Sequence, residues 1–220
     1  MRVLAVDTTT ERGSLAIVSD EGVLAEARVR TRAGHSRWLL PAAEALLSGM
    51  GLTAPEIDAF AVTTGPGSFT GLRIGLSTVQ GLALASERPC VGLSALDTLA
   101  LAASGAGERI VALMDAFRGE VYWATFDRDG TRLAGPNVGP LEAALAEAPE
   151  GTAFVGDAVA KARPRIEDEV EGALFPEVEL HLAAALGRAA LARLAVGDTV
   201  VPSELRPLYL RGADVRMSRP

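Results

Sequence analysis

A chain of 220 residues, 49% hydrophobic and 22% charged, has room for one large domain or two small lobes and does not have the composition of a disordered protein. Its net charge of −7 argues against a protein that grips nucleic acid with its whole surface, so a role near RNA is indirect or rests on a local arginine cluster. The single cysteine, Cys90, leaves no internal disulfide, and two histidines far apart in sequence, His35 and His181, form no zinc or iron motif.

Residues 3–6 form a wholly apolar strand that ends in Asp7-Thr8-Thr9-Thr10, and strands over 14–18 and 23–29 follow as an antiparallel meander. An aspartate at the end of a buried strand either holds a phosphate-bound magnesium or caps the turn, and the local pattern favours the turn. Arg28, Arg30 and Arg32 alternate and so share one face of the third strand, as a solvated sheet edge does. Ser36 is the expected N-cap of a helix whose stripe is Leu39, Leu40, Ala43, Leu46, Leu47 and Met50, with Pro41 in its first turns and His35 as a polar group at its entrance. The stripe approaches a coiled-coil seam, suited to a neighbouring helix or another subunit.

Residues 57–62 read as a strand, Gly65-Pro66-Gly67-Ser68 as a loop and Gly71 onward as a helix. Thr70 stands where G-x-G-x-x-G needs its third glycine, and no Gly-Lys-Ser/Thr follows; Lys161 is the one lysine in the sequence. The glycines therefore read first as turn and close-packing residues. Between Phe69 and Ala85 the only formal charge is Arg73, so this helix is expected to be buried on more than one side. Gly71, Gly75, Thr78, Gly81 and Ala85 form a ridge of small side chains beside an apolar ridge of Leu72, Leu76, Val79 and Ala83.

A strand over 89–93, a helix from Ser94, and a small Gly-rich linker over 103–107 close the first part. Residues 110–114 then repeat the opening pattern: a buried strand ending in Asp115, a turn at Arg118-Gly119, a strand over 120–126 and a turn into a third. This duplication implies two α/β lobes facing a cleft, divided as residues 1–104 and a smaller 105–220, with the last segment free to pack back on the first lobe. Phe154-Val155-Gly156-Asp157 is a further short strand, residues 163–179 are expected as loops and short helix, 182–196 as a helix, and 205–210 as the last structured stretch before an arginine-containing tail with Arg211, Arg216 and Arg219. The strand pattern begins at once and no charge-free run reaches the ~18 residues of a membrane span, so a cytoplasmic protein is expected.

Assembled, VLAVDTTTERGSLAIV, HSRWLLPAAEALL, GPGSFTGLRIGLSTVQGLALA, VGLSALDTLA, DAFRGEVYWA and ELRPLYLR resemble the TsaB (YeaZ) family over nearly the whole chain. The resemblance implies a two-lobe actin-like ATPase (ASKHA, RNase H-like) α/β fold with a duplicated mixed sheet and flanking helices. It also implies a role in N6-threonylcarbamoyladenosine formation at adenosine 37 of tRNAs reading ANN codons, beside the paralogue TsaD, which transfers the group, and TsaE. TsaD-like chains carry two metal-binding histidines four residues apart where this chain has Ala95 and Leu99. The resemblance therefore implies a non-catalytic scaffold or activator with no metal, ATP or ADP entering only within the complex, and tRNA reached through its partners. It places the contact with TsaD, or with a second copy, on the first two helices, at Leu39, Leu40, Ala43, Leu46, Leu47, Leu72, Gly75, Leu76 and Val79. A nucleotide-site remnant would involve Asp7, Thr8, Thr9 and Asp115 with the loop glycines Gly65 and Gly67.

Two other readings compete. An actin-like ATP phosphotransferase would arrange Asp7, Asp115 and Gly156-Asp157 around a nucleotide. A glycoprotease-type hydrolase would need a base or metal that His35 alone does not provide.

Overall fold

The computed structural model describes residues 1–32 and 34–211. Strands β1 (Arg2–Asp7), β2 (Arg12–Ser19) and β3 (Gly22–Arg30) form the expected antiparallel meander, with Asp7 opposite Ser14 and Arg12 opposite Arg30. Helix α1 (Leu39–Gly49) leads to β4 (Ala59–Gly65), which pairs parallel to β1, and α2 (Phe69–Ala85) leads to β5 (Cys90–Ser94), parallel to β4. The resulting order, β3-β2-β1-β4-β5, puts β3 and its arginines at an edge. β1 is apolar on successive residues because both its faces are covered. Leu4 and Val6 pack with α1 and α2, whereas Val3 and Ala5 pack with a helix from much later in the chain, α6 (Ala183–Ala195). Gly187 lets α6 lie close, since a Cβ there would sit 2.4 Å from Val18 Cγ2.

Helix α3 (Ala95–Ala102), capped by Ser94 accepting from Leu96 N–H at 3.1 Å, leads into a second sheet. Its strands are β6 (Arg109–Asp115), β7 (Glu120–Asp127), β8 (Arg132–Pro140) and β9 (Ala153–Val155), in the order β8-β7-β6-β9. The meander with a parallel fourth strand beside its first therefore occurs twice. Helix α3 packs on one face of this sheet, and α4 (Leu141–Leu145) and α5 (Val159–Glu169) on the other.

Three expectations are corrected. Ser36 does not cap α1: residues 36–38 form a turn, Trp38 takes the cap position without a side-chain bond, and Pro41 lies in the first turn, where its missing N–H costs little. Helix α5 is longer than a Pro-rich stretch predicts. Ala162, Ile166 and Val170 are buried at four-residue spacing against the sheet, Pro164 points to solvent, and the Arg163–Glu167 and Arg165–Glu169 pairs line the outer side. Helix α2 is buried on one side only. Gly71, Leu72, Gly75, Leu76, Val79 and Ala83 face inward, and Arg73, Ser77, Gly81 and Leu84 lie in the open. Residues 205–210 are an extended segment laid along the first half, with Leu205 in that half's core.

Candidate functional site

The C-terminal ends of β1 and β4 meet the start of α2. Asp7 is fully buried, and its Oδ1 accepts from Thr9 N–H (3.1 Å), Thr9 Oγ1 (2.7 Å) and Thr63 Oγ1 (2.6 Å). Burial raises the pKa of Asp7, against the lowering by these hydrogen bonds, and Oδ2 is buried with no partner among the described residues. Thr8 Oγ1 donates to Gly71 O at 2.8 Å, and Ser68 N–H donates to Thr9 O at 2.7 Å. The glycines are what permit this approach: a Cβ on Gly71 would lie 2.1 Å from Thr8 O, one on Gly75 2.3 Å from Thr8 Oγ1, and one on Gly67 2.4 Å from Thr9 O. Ser68 caps α2, accepting from Gly71 N–H at 3.2 Å.

Above this junction lies a cavity of about 630 Å³ between the two sheets, within the range of small-molecule sites. Arg12, Arg30, Ser68 and Thr70 line it from the first half, and Asp115, Phe117 and Asp157 from the second. Arg12 and Arg30 stand directly opposite one another on adjacent strands, an unfavourable placement for like charges unless anions face them. Asp157 Oδ1 accepts from Asp115 N–H at 3.1 Å. Burial raises the pKa of Asp157, and the Asp115 charge adds to the rise, while the Asp115 N–H and Arg12 oppose it. The first half's side of the cavity thus carries Arg12, Arg30 and Arg32, the last paired with Glu11 at 3.5 Å, and the second half's side carries the two aspartates.

His35 is not available as a base. The indole N–H of Trp38 donates to Nδ1 at 3.1 Å, so Nε2 carries the hydrogen and donates to Thr10 O at 2.8 Å. Both ring nitrogens serve to anchor the turn before α1.

Of the remnant residues, Thr9, Asp115 and Gly67 line the cavity, whereas Asp7 and Thr8 lie beneath it and Gly65 away from it. Asp7 is thus sealed into the fold and does not line the cavity. Of the interface residues, Leu39, Ala43, Leu47, Leu72, Gly75, Leu76 and Val79 are buried in the protein's own interior and present no surface to a partner. Leu46 is half-buried, and Leu40 is 53% exposed. The exposed apolar residues of α2 are instead Phe69 and Leu84, the latter 72% exposed. The small-residue ridge expected from spacing is divided: Gly71 and Gly75 turn inward with Leu72, Leu76, Val79 and Ala83, while Gly81 and Ala85 are exposed. Thr63 and the Arg12–Arg30 pair escaped notice because their roles arise from strand pairing. Arg216 and Arg219 lie outside the described residues.

No helix among the described residues is long and apolar enough to cross a membrane. Residues 23–196 match the family model described as tRNA N6-adenosine threonylcarbamoyltransferase, TsaD. The chain is 44% identical over 131 residues to the Escherichia coli tRNA threonylcarbamoyladenosine biosynthesis protein TsaB, a match covering 59% of this chain and 56% of that protein, so the chain spans about half the length of that curated relative. It is similar to YeaZ from Pseudomonas aeruginosa, with a TM-score of 0.81 and 30% identity over 95% of this chain and 99% of that one. The activator of 2-hydroxyisocaproyl-CoA dehydratase from Clostridium difficile, solved with bound ADPNP, shares the actin-like fold at a TM-score of 0.53 and 13% identity, covering 95% of this chain and 100% of that one. With its duplicated sheets, its glycine-packed α2 and these matches, the chain belongs to the TsaB (YeaZ) family.

Proposed function

We propose that this chain serves tRNA threonylcarbamoyladenosine biosynthesis as a non-catalytic subunit that pairs with TsaD, with TsaE joining them, and that it meets tRNA only through the assembly. The observation that carries this reading is the outer side of α2, which leaves Phe69, Ser77, Gly81 and Leu84 exposed around a single charge, Arg73. A helix face with one charge and a bulky leucine in solvent is what a subunit contact leaves behind when the partner is removed. Leu40 on α1, 53% exposed, adds an apolar side chain on the same side of the first sheet. Ala95 and Leu99 support the non-catalytic part of the reading, being aliphatic and buried in the core around α3, where they offer no donor to a metal.

The contact surface proposed here is therefore the outward side of the two helices, not the inward stripe. The same face could pair two copies of this chain when TsaD is absent, which sedimentation at increasing concentration resolves. The division into a first half, residues 1–104, and a second, 105–220, belongs to the same reading. The experiment is reconstitution: tRNA modification by TsaD, TsaE and a threonylcarbamoyl-adenylate source, with and without this chain. No activity from the chain alone and restored modification in the mixture support the proposal; equal modification without the chain refutes it.

A second reading, nucleotide binding within the assembly, is favoured by the cavity alone. Arg12, Arg30 and the α2 N-terminus suit the phosphates of ATP or ADP, and Glu11, Asp115 and Asp157 are carboxylates of the same cavity. Calorimetric titration of ATP into the complex, against Arg12→Ala and Arg30→Ala, tests it.

A further inference from the structure

The segment over residues 200–211 touches both halves of the molecule. It begins with a reciprocal pair of backbone bonds between Val200 and Cys90, each 2.8 Å, and continues under the amide of Gln80, which donates to Pro202 O (3.0 Å) and Leu205 O (3.2 Å). Leu208 N–H then donates to Thr64 O at 2.7 Å, and a Cβ on Gly65 would lie 2.8 Å from Leu208 O. The first glycine of the GPGSFTG string thus makes room for this segment, a requirement additional to its own φ of +116°. Tyr209 follows, its ring centroid 5.3 Å from that of Phe69 and its hydroxyl accepting from Arg73 Nε at 3.2 Å, while the Arg73 guanidinium lies 3.8 Å above the Phe69 ring. Two residues later the segment reaches the second half: Arg211 Nη1 donates to Ala116 O at 3.2 Å, and Arg211 pairs with Glu120.

Ala116 sits between Asp115 and Phe117, two residues that wall the cavity, and the facing wall includes Thr70 and Ile74 of α2. Three consecutive residues, Tyr209 to Arg211, therefore span from one wall's helix to the other wall's turn. Elsewhere the halves meet where α3 packs on α6, β4 and β5, and where Arg28 of β3 pairs with Glu179. A further tie, remote in sequence from the chain crossing at 103–107, restricts how the halves move about these contacts.

We propose that residues 205–211 act as a brace that holds the two halves at a set separation, with Tyr209 fastened on α2 and Arg211 on the β6–β7 turn. The cavity's width is then a property of this segment as much as of the two sheets. The brace follows from intramolecular contacts alone, so it stands or falls independently of the pairing with TsaD.

The test uses the full chain. Amide hydrogen exchange over residues 116–120 is compared between the natural protein and Arg211→Ala, and distances between halves are measured from spin labels at Ser48→Cys and Asp168→Cys, two exposed sites on α1 and α5. Cys90 is buried and stays unlabelled. Loss of the Arg211 bonds is expected to speed exchange of the turn about tenfold, the factor carried by one charge-assisted hydrogen bond, and to broaden the distance distribution, with β1 and β6 amides unchanged. Tyr209→Ala is expected to broaden the distribution too, because it removes the fastening on Phe69 and Arg73. Unchanged exchange and an unchanged distribution in both variants overturn the brace. If Arg211→Ala unfolds the protein as a whole, Glu120→Gln, which keeps the shape of the turn, replaces it: faster exchange at 116–120 supports the brace, and no change overturns it.

Discussion

The two halves share one strand order, and in each the first strand runs into an aspartate, yet the two aspartates live differently. Asp7 is sealed from solvent and binds three donors, while Asp115 is exposed and accepts from the backbone N–H of Phe117 at 2.7 Å. The cause is where the following helix lands. In the first half Gly71 and Gly75 of α2 sit on Thr8, one residue beyond Asp7; in the second the glycine before α5, Gly156, sits on Leu113, where a Cβ would lie 2.0 Å from the carbonyl oxygen, two residues short of Asp115. A shift of the packing point along the strand turns the same strand-end carboxylate from a structural fastener into a cavity wall.

The largest expected effect breaks that contrast directly. Asp7→Ala strands the Thr9 N–H and the Thr9 and Thr63 hydroxyls in a buried site and is expected to cost about 3 kcal/mol in urea denaturation. Asp115→Ala is expected to change stability by less than about 1 kcal/mol. Equal losses would mean that the packing point does not decide the role. Next, Gly71→Ala should destabilise by about 2 kcal/mol because its methyl meets Thr8 O, despite the better helix propensity of alanine. In the same helix Gly81→Ala meets open space and should stabilise by roughly 0.5–1 kcal/mol, so thermal denaturation of the two variants should shift in opposite directions.

The smallest effect is a slope. Burial raises the pKa of Asp7, so between its ordinary value and the raised one the native state holds more protons than the unfolded chain. Its contribution is therefore most favourable below the ordinary carboxylate range and is lost as pH rises through the raised value. Asp7→Asn should remove this part of the pH dependence of the unfolding free energy, leaving the contribution of the same sign from Asp157, whose pKa burial also raises. A natural-minus-variant difference that is flat with pH above the ordinary carboxylate range would show that Asp7 stays charged in the fold.

Much of this frame was legible in the residues. Apolar runs such as Val3-Leu4-Ala5-Val6 and Ile110-Val111-Ala112-Leu113 announce strands covered on both faces, and the repeated strand–aspartate–hairpin pattern announces the duplication. Helix α5 was not legible, because Pro164 is a helix breaker in isolation and only burial of Ala162, Ile166 and Val170 outweighs it. The site was half legible. Near-absence of charge in α2 identified an unusual helix, but Leu76 and Leu84 look alike in sequence, and only packing shows that the first faces the core and the second faces solvent. Leu39 and Leu76 are thus positions for unfolding the protein, and Leu40 and Leu84 the ones for testing its surface.

That surface carries the central claim, that the chain works by presenting the outer sides of α1 and α2 to a catalytic partner. The direct measurement is threonylcarbamoyl transfer to tRNA in a mixture of TsaD, TsaE and a threonylcarbamoyl-adenylate source supplied with the natural chain, the Leu40→Glu/Leu84→Glu variant, or neither. The account predicts full transfer with the natural chain and background transfer with the variant, whose circular dichroism and denaturation midpoint should match those of the natural protein. Transfer by the folded double variant at the natural level would contradict it.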